Sequence, residues 1–342
     1  MAESTRVPID ETRDGPPPPA RRARGNAITL IIGTVVTLGL VVASLFVGEY
    51  DIFNADDGAQ MFGVTRVPRT IALVLAGASM AMCGLVMQVL TQNRFVEPTT
   101  TGTTEWAGLG LLITMILFPH SSLLVKMTVA VVTAFIGTMI FFMFLQRVTL
   151  RSSVIVPIVG IMLGAVVGAI STFLALSTNM LQSLGIWFAG SFTTVLKGQY
   201  EPLWVVLVVA IGVFVAADRF TVAGLGEDIA KNVGLNFRQV VLLGTGLIAV
   251  ATGVVTVVVG NLPFLGLIVP NVVAMFRGDN LRTNLPWVCL LGIAIVTVCD
   301  IIGRIVIRPF EVPVSLILSV VGAAVFITLL LRQQRGRSRV TR

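Results

Sequence analysis

The chain has 342 residues, of which 55% are hydrophobic and only 12% charged, with a formal net charge of +7. Soluble domains carry about 25% charged residues, so this composition excludes an ordinary soluble enzyme and points to a chain solvated mainly by lipid.

Residues 1–25 include the run "GPPPPARRARG", with Arg21, Arg22 and Arg24 and almost no apolar content, and read as a disordered basic tail. From Asn26 onward, stretches of about 20 apolar residues, enough to cross a hydrocarbon core of about 30 Å as helix, recur along the chain. They fall at 27–48, 68–92, 102–118, 122–145, 153–176, 199–217, 239–260, 262–277, 285–307 and 312–332. The expected fold is therefore an all-α integral membrane protein with ten transmembrane helices, occupying residues 26–332 and followed by a second basic tail at 333–342. The first segment is too long for a signal peptide and lacks a small-residue cleavage pattern. Segments 102–118, 199–217 and 262–277 are short or broken by Gly and Pro, which suits helices buried among other helices. Pro68, Pro286 and Pro313 are each expected near a helix start, where the missing N–H costs nothing.

Two basic ends imply that both termini are cytoplasmic and that the number of crossings is even. With ten crossings, all of the 24 Lys and Arg lie inside except Arg66, Arg69, Lys126, Lys197, Arg304 and Arg308. The charge is then a topology signal and implies no nucleic acid. The pair Arg66 and Arg69 in "RVPRT" stands against this rule and calls for a reason. Cys83, Cys289 and Cys299 fall in spans without metal or redox spacing, and a lone histidine, His120, makes no metal site, so no metal is expected. A phosphate loop needs Gly-Lys-Ser/Thr; Lys126, Lys197 and Lys231 are none of them preceded by Gly. The chain is therefore not expected to be an enzyme, and any ATP would be hydrolysed on a separate subunit.

In the inner stretch "FTVAGLGEDIAKNVGLNFRQ", Leu225, Ile229 and Val233 repeat every four residues as an apolar stripe, and Glu227 and Lys231 pair on another face. Such a helix either lies on the bilayer or docks a partner. Gly160, Gly164 and Gly168 form a row that permits close helix approach.

At this point the residues resemble a family, the iron-siderophore and vitamin B12 permeases of bacterial ABC importers, over about Arg66 to Leu331. The matching pieces are "RVPRTIALVLAGASMAMCGLVMQVLTQN", "WFAGSF", "GLGEDIAKNVGL", "LPFLGLIVPNVVAM" and "CDIIGRIVIRPFEVPVSLILSVVGAAVFITLLL", in matching order and spacing. The resemblance implies a multi-pass permease of the bacterial inner membrane, paired with a second permease, identical or homologous. Two cytoplasmic ATPase subunits would hold ATP and Mg, with no cofactor on this chain, and an extracytoplasmic siderophore-binding protein would deliver the cargo. The stretch "QNRFVEPTTTGTTEWAGLGLL" looks most like the ferric siderophore branch. Arg66, Arg69 and Arg304 match rim arginines that meet acids of the binding protein; from the residues alone they equally snorkel or pair with Glu49, Asp51, Asp56 and Asp57. Asn93 and Phe95, with Ser152 and Ser153, match two cytoplasmic gate loops, although polar residues at helix entrances are also caps. The coupling helix of the family falls on 224–235, with Leu225, Gly226, Glu227, Ile229, Val233 and Gly234 carrying it. In the family the helix bearing Gly160, Gly164 and Gly168 helps to line the path, and tight packing explains the row as well.

Two intramembrane acids support a rival reading, a proton-coupled secondary transporter using Glu105 and Asp300. Arg304, four residues after Asp300, can neutralise it, in which case Arg304 is less free to dock a partner. Glu105, expected near the inner end of its span, has no basic residue within a turn.

Overall fold

The computed structural model describes residues 19–48, 57–147 and 154–340, and in these it is helical and loop structure without strands. The helices are α1 (Pro19–Phe46), α2 (Gly58–Met61), α3 (Val67–Leu90), α4 (Thr103–Leu117), α5 (Leu123–Arg147), α6 (Ile155–Ser177), α7 (Leu181–Phe188), α8 (Val205–Val215), α9 (Ala217–Ala223), α10 (Glu227–Asn232), α11 (Phe237–Val258), α12 (Leu265–Arg277), α13 (Leu281–Ile305) and α14 (Val314–Val340). A π-helical turn, Phe62–Arg66, joins α2 to α3, so Gly58–Leu90 runs as one long span with Pro68 in its first α turn. Among the described residues six helices are long and apolar enough to cross a membrane, and the two helices that meet at Ala216, bent by 60°, reach that length and hydropathy only together. Thr103–Leu117, Leu265–Arg277 and Val314–Thr328 are shorter apolar helices.

Two terminal helices run further than their apolar cores. The α1 backbone is helical from Pro19, inside the segment read as a tail, and α14 continues to Val340 through most of the second one. Pro at the first helical position suits a helix start, and a basic segment continues a helix already nucleated by an apolar one. Pro286 sits inside α13, five residues past Leu281, because the Asn280 side chain caps the helix earlier by accepting from the Thr283 N–H at 3.2 Å.

The bundle is organised around α3, which is mostly buried and packs against α8, α11, α12 and α13, while α4 and α5 pair beside α11. Small residues allow this. A Cβ on Gly77 would lie 3.0 Å from the Gly292 carbonyl oxygen of α13, and one on Gly84 would lie 2.1 Å from the Gly266 carbonyl oxygen of α12. Two helix crossings at backbone contact thus fix α3 from two sides. In contrast, α1 lies against α13 and α3 with much of its surface exposed.

Helix α12 has 13 residues, about 20 Å at 1.5 Å per residue, and does not cover a full hydrocarbon thickness. Its N-terminus therefore lies within the bundle, entered through Phe264 at φ 63°. Pro270 removes the N–H that would bond to the Gly266 carbonyl, and Gln88 of α3 supplies the missing donor, Nε2 to Gly266 O at 3.1 Å. The Asn271 amide donates to Leu267 O and to Arg94 O, both at 2.7 Å.

Gly84→Leu should separate α3 from α12, costing at least the 1–3 kcal/mol typical of overpacking; Gly39→Leu on α1, where a Cβ meets nothing within 4 Å, should be neutral. Thermal size-exclusion profiles in detergent would compare the two, with early aggregation expected of Gly84→Leu alone.

Candidate functional site

At one end of the bundle, Asp300 of α13 is completely buried between two arginines. Arg69, in the first turn of α3, donates from Nη2 and Nε to Asp300 Oδ1 at 2.8 and 3.1 Å. Arg304, one turn along α13, donates to Asp300 Oδ2 and also to the Ser44 hydroxyl, Ser44 O at 2.9 Å and Val47 O at 2.6 Å. Arg69 also pairs with Glu311 at 2.8 Å, and Glu311 in turn accepts from the Thr193 hydroxyl at 2.7 Å. The cluster thereby ties the end of α1, the start of α3, the end of α13, the 306–313 loop and the turn at Thr193. Burial acts against the Glu311 charge, but the Arg69 and Thr193 hydrogen bonds outweigh it and hold the carboxyl below its usual range. Its contribution is therefore complete above the ordinary carboxylate range and is lost as pH falls below it.

The three arginines expected at a docking rim are thus brought together, with their guanidinium groups turned inward. Arg66 donates to Val47 O, and its guanidinium lies directly against Gly48, where a Cβ would stand 1.8 Å from Nη1. The Asp300–Arg304 pair forms as the four-residue spacing indicates. Arg69, Glu311 and Thr193 join it from elsewhere in the sequence.

At the opposite end, Asn93 and Phe95 follow α3. Asn93 Oδ1 accepts from the Phe95 N–H at 2.9 Å, and the Phe95 ring meets Phe326 of α14 edge-on at 5.7 Å. Ser152 and Ser153 lie outside the described residues. The loop then buries Glu97, which the sequence reading missed. Its carboxylate accepts from the N–H groups of Phe264 at 2.8 Å and Leu267 at 3.1 Å, at the start of α12, and from the Thr99 hydroxyl at 2.6 Å. A negative group here meets both the orphan N–H groups and the positive end of the α12 dipole. Its sequence signal is weak: an acid before Pro98 followed by three threonines, Thr99, Thr100 and Thr101.

Gly160 and Gly164 of α6 pack on this loop. A Cβ on Gly160 would be 2.2 Å from Thr100 O, and one on Gly164 would be 3.2 Å from Gly102 Cα. Gly168 has nothing within 4 Å and faces a cavity of about 450 Å³ shared with Ser171, Thr172, Phe188 and Glu105. Glu105 Oε2 is buried without a hydrogen-bond partner among the described residues. Because α4 begins inside the bundle, Glu105 lies close to α7, deeper than the inner end expected for it: Phe188 of α7 packs onto Gly108, one turn further along α4.

Helix α10 is framed by Gly226 at φ 111° and Gly234 at φ 80°, backbone conformations suited to glycine. Leu225, Ile229 and Val233 are 59%, 50% and 69% exposed, so the apolar stripe faces outward. The Glu227–Lys231 pair spans 2.9 Å on the same short helix and lifts the Lys231 ammonium above its usual value. Exposed ion pairs Arg94–Asp279 and Arg282–Asp218 lie at the same end of the bundle.

A model of the FecCD transport family matches residues 28–332. The chain belongs to this family. It is 60% identical over 307 residues to the petrobactin import system permease protein FatD of Bacillus anthracis, covering 90% of this chain and 92% of that protein. It is 42% identical over 306 residues to the petrobactin import system permease protein YclN of Bacillus subtilis (strain 168), covering 88% of this chain and 97% of that protein. Among solved structures, the FecCD fold seen here superposes on a metal-chelate type ABC transporter in an inward-facing conformation with a TM-score of 0.78, at 23% identity over 90% of this chain and 99% of that one. The resemblance to siderophore and vitamin B12 permeases read from the sequence is therefore correct, and the chain is a multi-pass membrane permease.

Asp300→Asn would leave Arg69 and Arg304 facing each other without a shared anion, and breaking a buried pair costs about 3–5 kcal/mol. Arg94→Gln, which removes an exposed pair with Asp279, should cost under about 1 kcal/mol. Reversible unfolding of both variants in mixed micelles checks the ranking; equal losses would show that Asp300 does not hold the cluster together.

Proposed function

We propose that this chain is the membrane-spanning subunit of an ABC importer that carries a ferric siderophore whole into the cytoplasm, with force supplied by two separate ATPase subunits that bind ATP and Mg. The observation that carries the coupling is the exposed apolar stripe Leu225, Ile229 and Val233 on α10, which seats Ala230 against the bundle and turns this stripe outward between Gly226 and Gly234, flanked by exposed ion pairs. Apolar side chains presented in this way, rimmed by charge, mark a protein contact. The substrate class rests on family membership and on the 60% identity to a petrobactin import permease.

In this reading the protein crosses the membrane ten times between residues 26 and 332, counted from the six long helices, the bent α8–α9 pair and the three shorter apolar ones. Both termini are cytoplasmic, continuous with the basic segments 1–25 and 333–342. A second permease, identical or homologous, completes the path, and α6 with its exposed apolar face contributes to it. Asn93 and Phe95 close the path on the inner side together with the loop carrying Ser152 and Ser153. An external binding protein docks on the rim built by Arg66, Arg69 and Arg304. There, among the described residues, three guanidinium groups oppose the two carboxylates of Asp300 and Glu311, which leaves one positive charge in excess. Arg66 carries it, having a backbone carbonyl as acceptor and no ion pair among the described residues. An excess of this kind orients an acidic partner more than it adds affinity.

Asp300, held by two arginines, is no proton relay in this arrangement, and Glu105 alone does not make a pathway. Ile229→Asp with Val233→Asp should release the ATPase from the purified complex by at least about tenfold while the permease stays monodisperse; ATPase retained at the wild-type ratio would place the coupling surface elsewhere. Glu105→Gln should leave ATP-driven uptake of radiolabelled ferric siderophore in proteoliposomes within about twofold, because a proton relay would lose 10²-fold or more. Uptake that runs on a proton gradient without ATP would overturn the mechanism.

A further inference from the structure

Away from both ends of the transport path, a groove runs between α1 and the α12–α13 pair. Arg277, the last residue of α12, lies at its mouth with its guanidinium carbon 4.7 Å from the centroid of the Trp287 ring. Arg277 Nε is buried and has no hydrogen-bond acceptor among the described residues. Arg94 and Arg282 at the same end of the bundle each have a carboxylate partner. From this mouth, two adjoining cavities of about 700 and 530 Å³ share Phe276, Arg277 and Trp287. The larger also touches Thr283 in the first turn of α13, and the other continues along Ile32, Gly33, Val272 and Leu291.

The groove is thus cationic at one end and apolar along its length. Gly33 lets the Trp287 ring pack against α1 as one wall of the groove: a Cβ there would stand 3.1 Å from the ring. Arg277 itself has no carboxylate partner among the described residues, and a guanidinium without a counter-charge at the edge of a hydrocarbon layer attracts an anion. Through its Nη atoms the planar fork matches a phosphate oxygen pair. The position is where α12 ends and α13 begins, which in a multi-pass protein is a membrane interface. An occupant with a phosphate at that level and a hydrocarbon chain reaching inward along α1 satisfies both halves of the groove.

We propose that this groove is a binding site for one anionic phospholipid, with the headgroup phosphate on Arg277 and an acyl chain laid between α1 and α12. The lipid supplies the contact that α1, packed mainly on α13, otherwise lacks on its other side. The site is independent of the cargo and of the ATPase surface.

The test uses the full purified chain, with any partners that accompany it, exchanged into phosphatidylglycerol or phosphatidylcholine and released from detergent in a native mass spectrometer. Wild type should retain one phosphatidylglycerol in preference to phosphatidylcholine. Arg277→Gln should lower that retention by about tenfold, in line with a charge-assisted hydrogen bond, whereas Arg282→Gln, which removes an exposed arginine paired with Asp218, should not. Arg277→Lys keeps the charge and should retain most of the lipid, which separates phosphate binding from a packing defect. Gly33→Leu should expel both lipids by filling the groove. Equal retention of the two lipids by wild type, or equal effects of the Arg277→Gln and Arg282→Gln changes, would overturn the site and leave only ordinary boundary lipid.

Discussion

Every backbone N–H and C=O inside a hydrocarbon layer needs a partner within the protein, and the start of α12 is where this chain meets that constraint most sharply. A helix beginning at Leu265, within the bundle, exposes its first amide groups where no water can reach them. Glu97 turns in from the loop after α3 and accepts from two of those groups. Gln88 satisfies the carbonyl that Pro270 orphans, and Asn271 donates to the loop carrying Glu97. Helix α12, the end of α3 and the 91–102 loop are consequently one polar unit inside an apolar bundle. The loop also carries Asn93 and Phe95, so these two residues are tied through Glu97 to the start of a helix that touches the α3 backbone at Gly84.

The other buried polar unit has the opposite role. Around Asp300 the partners come from four segments far apart in the chain, and the ion pairs replace the hydration that each charge lost. Such clusters add little net stability over apolar packing, but removing one member is expensive. Their value is geometric: the ends of α1, α3 and α13 are held at one level, and the outer loops carrying Thr193 and Glu311 are fixed to them.

The helices were legible because lipid demands long apolar segments, and composition alone marks those. Local charge pairs were legible too: Arg304 lies four residues from Asp300, and Lys231 four from Glu227. What the sequence hid are contacts between distant residues. Arg69 and Asp300 are 231 positions apart, and Glu97 and Phe264 are 167 apart; no periodicity relates such residues. The glycine row was readable as close packing, yet only the fold separates Gly160 and Gly164, which touch the loop, from Gly168, which opens on a cavity. Arg66 and Arg69 were conspicuous because they break the charge rule; the ion pairs of Arg69 and the Val47 carbonyl that accepts from Arg66 explain how they are kept beside apolar helices.

The two ends of the protein thus present opposite surfaces. Around Asp300, charge is gathered inward and shared, leaving a small positive excess among the described residues. At the other end, apolar side chains on a helix of 6 residues stand outward between glycines, with ion pairs beside them that are exposed and weak. A stiff charged rim favours an encounter that is oriented and reversible, since screening by salt limits its strength. An exposed apolar stripe favours a contact that persists, because its burial is not screened. The proposed function, with one partner docking transiently on the rim and another held at α10, would draw on this asymmetry, which the chain builds by placing arginines at one end and Leu225, Ile229 and Val233 at the other.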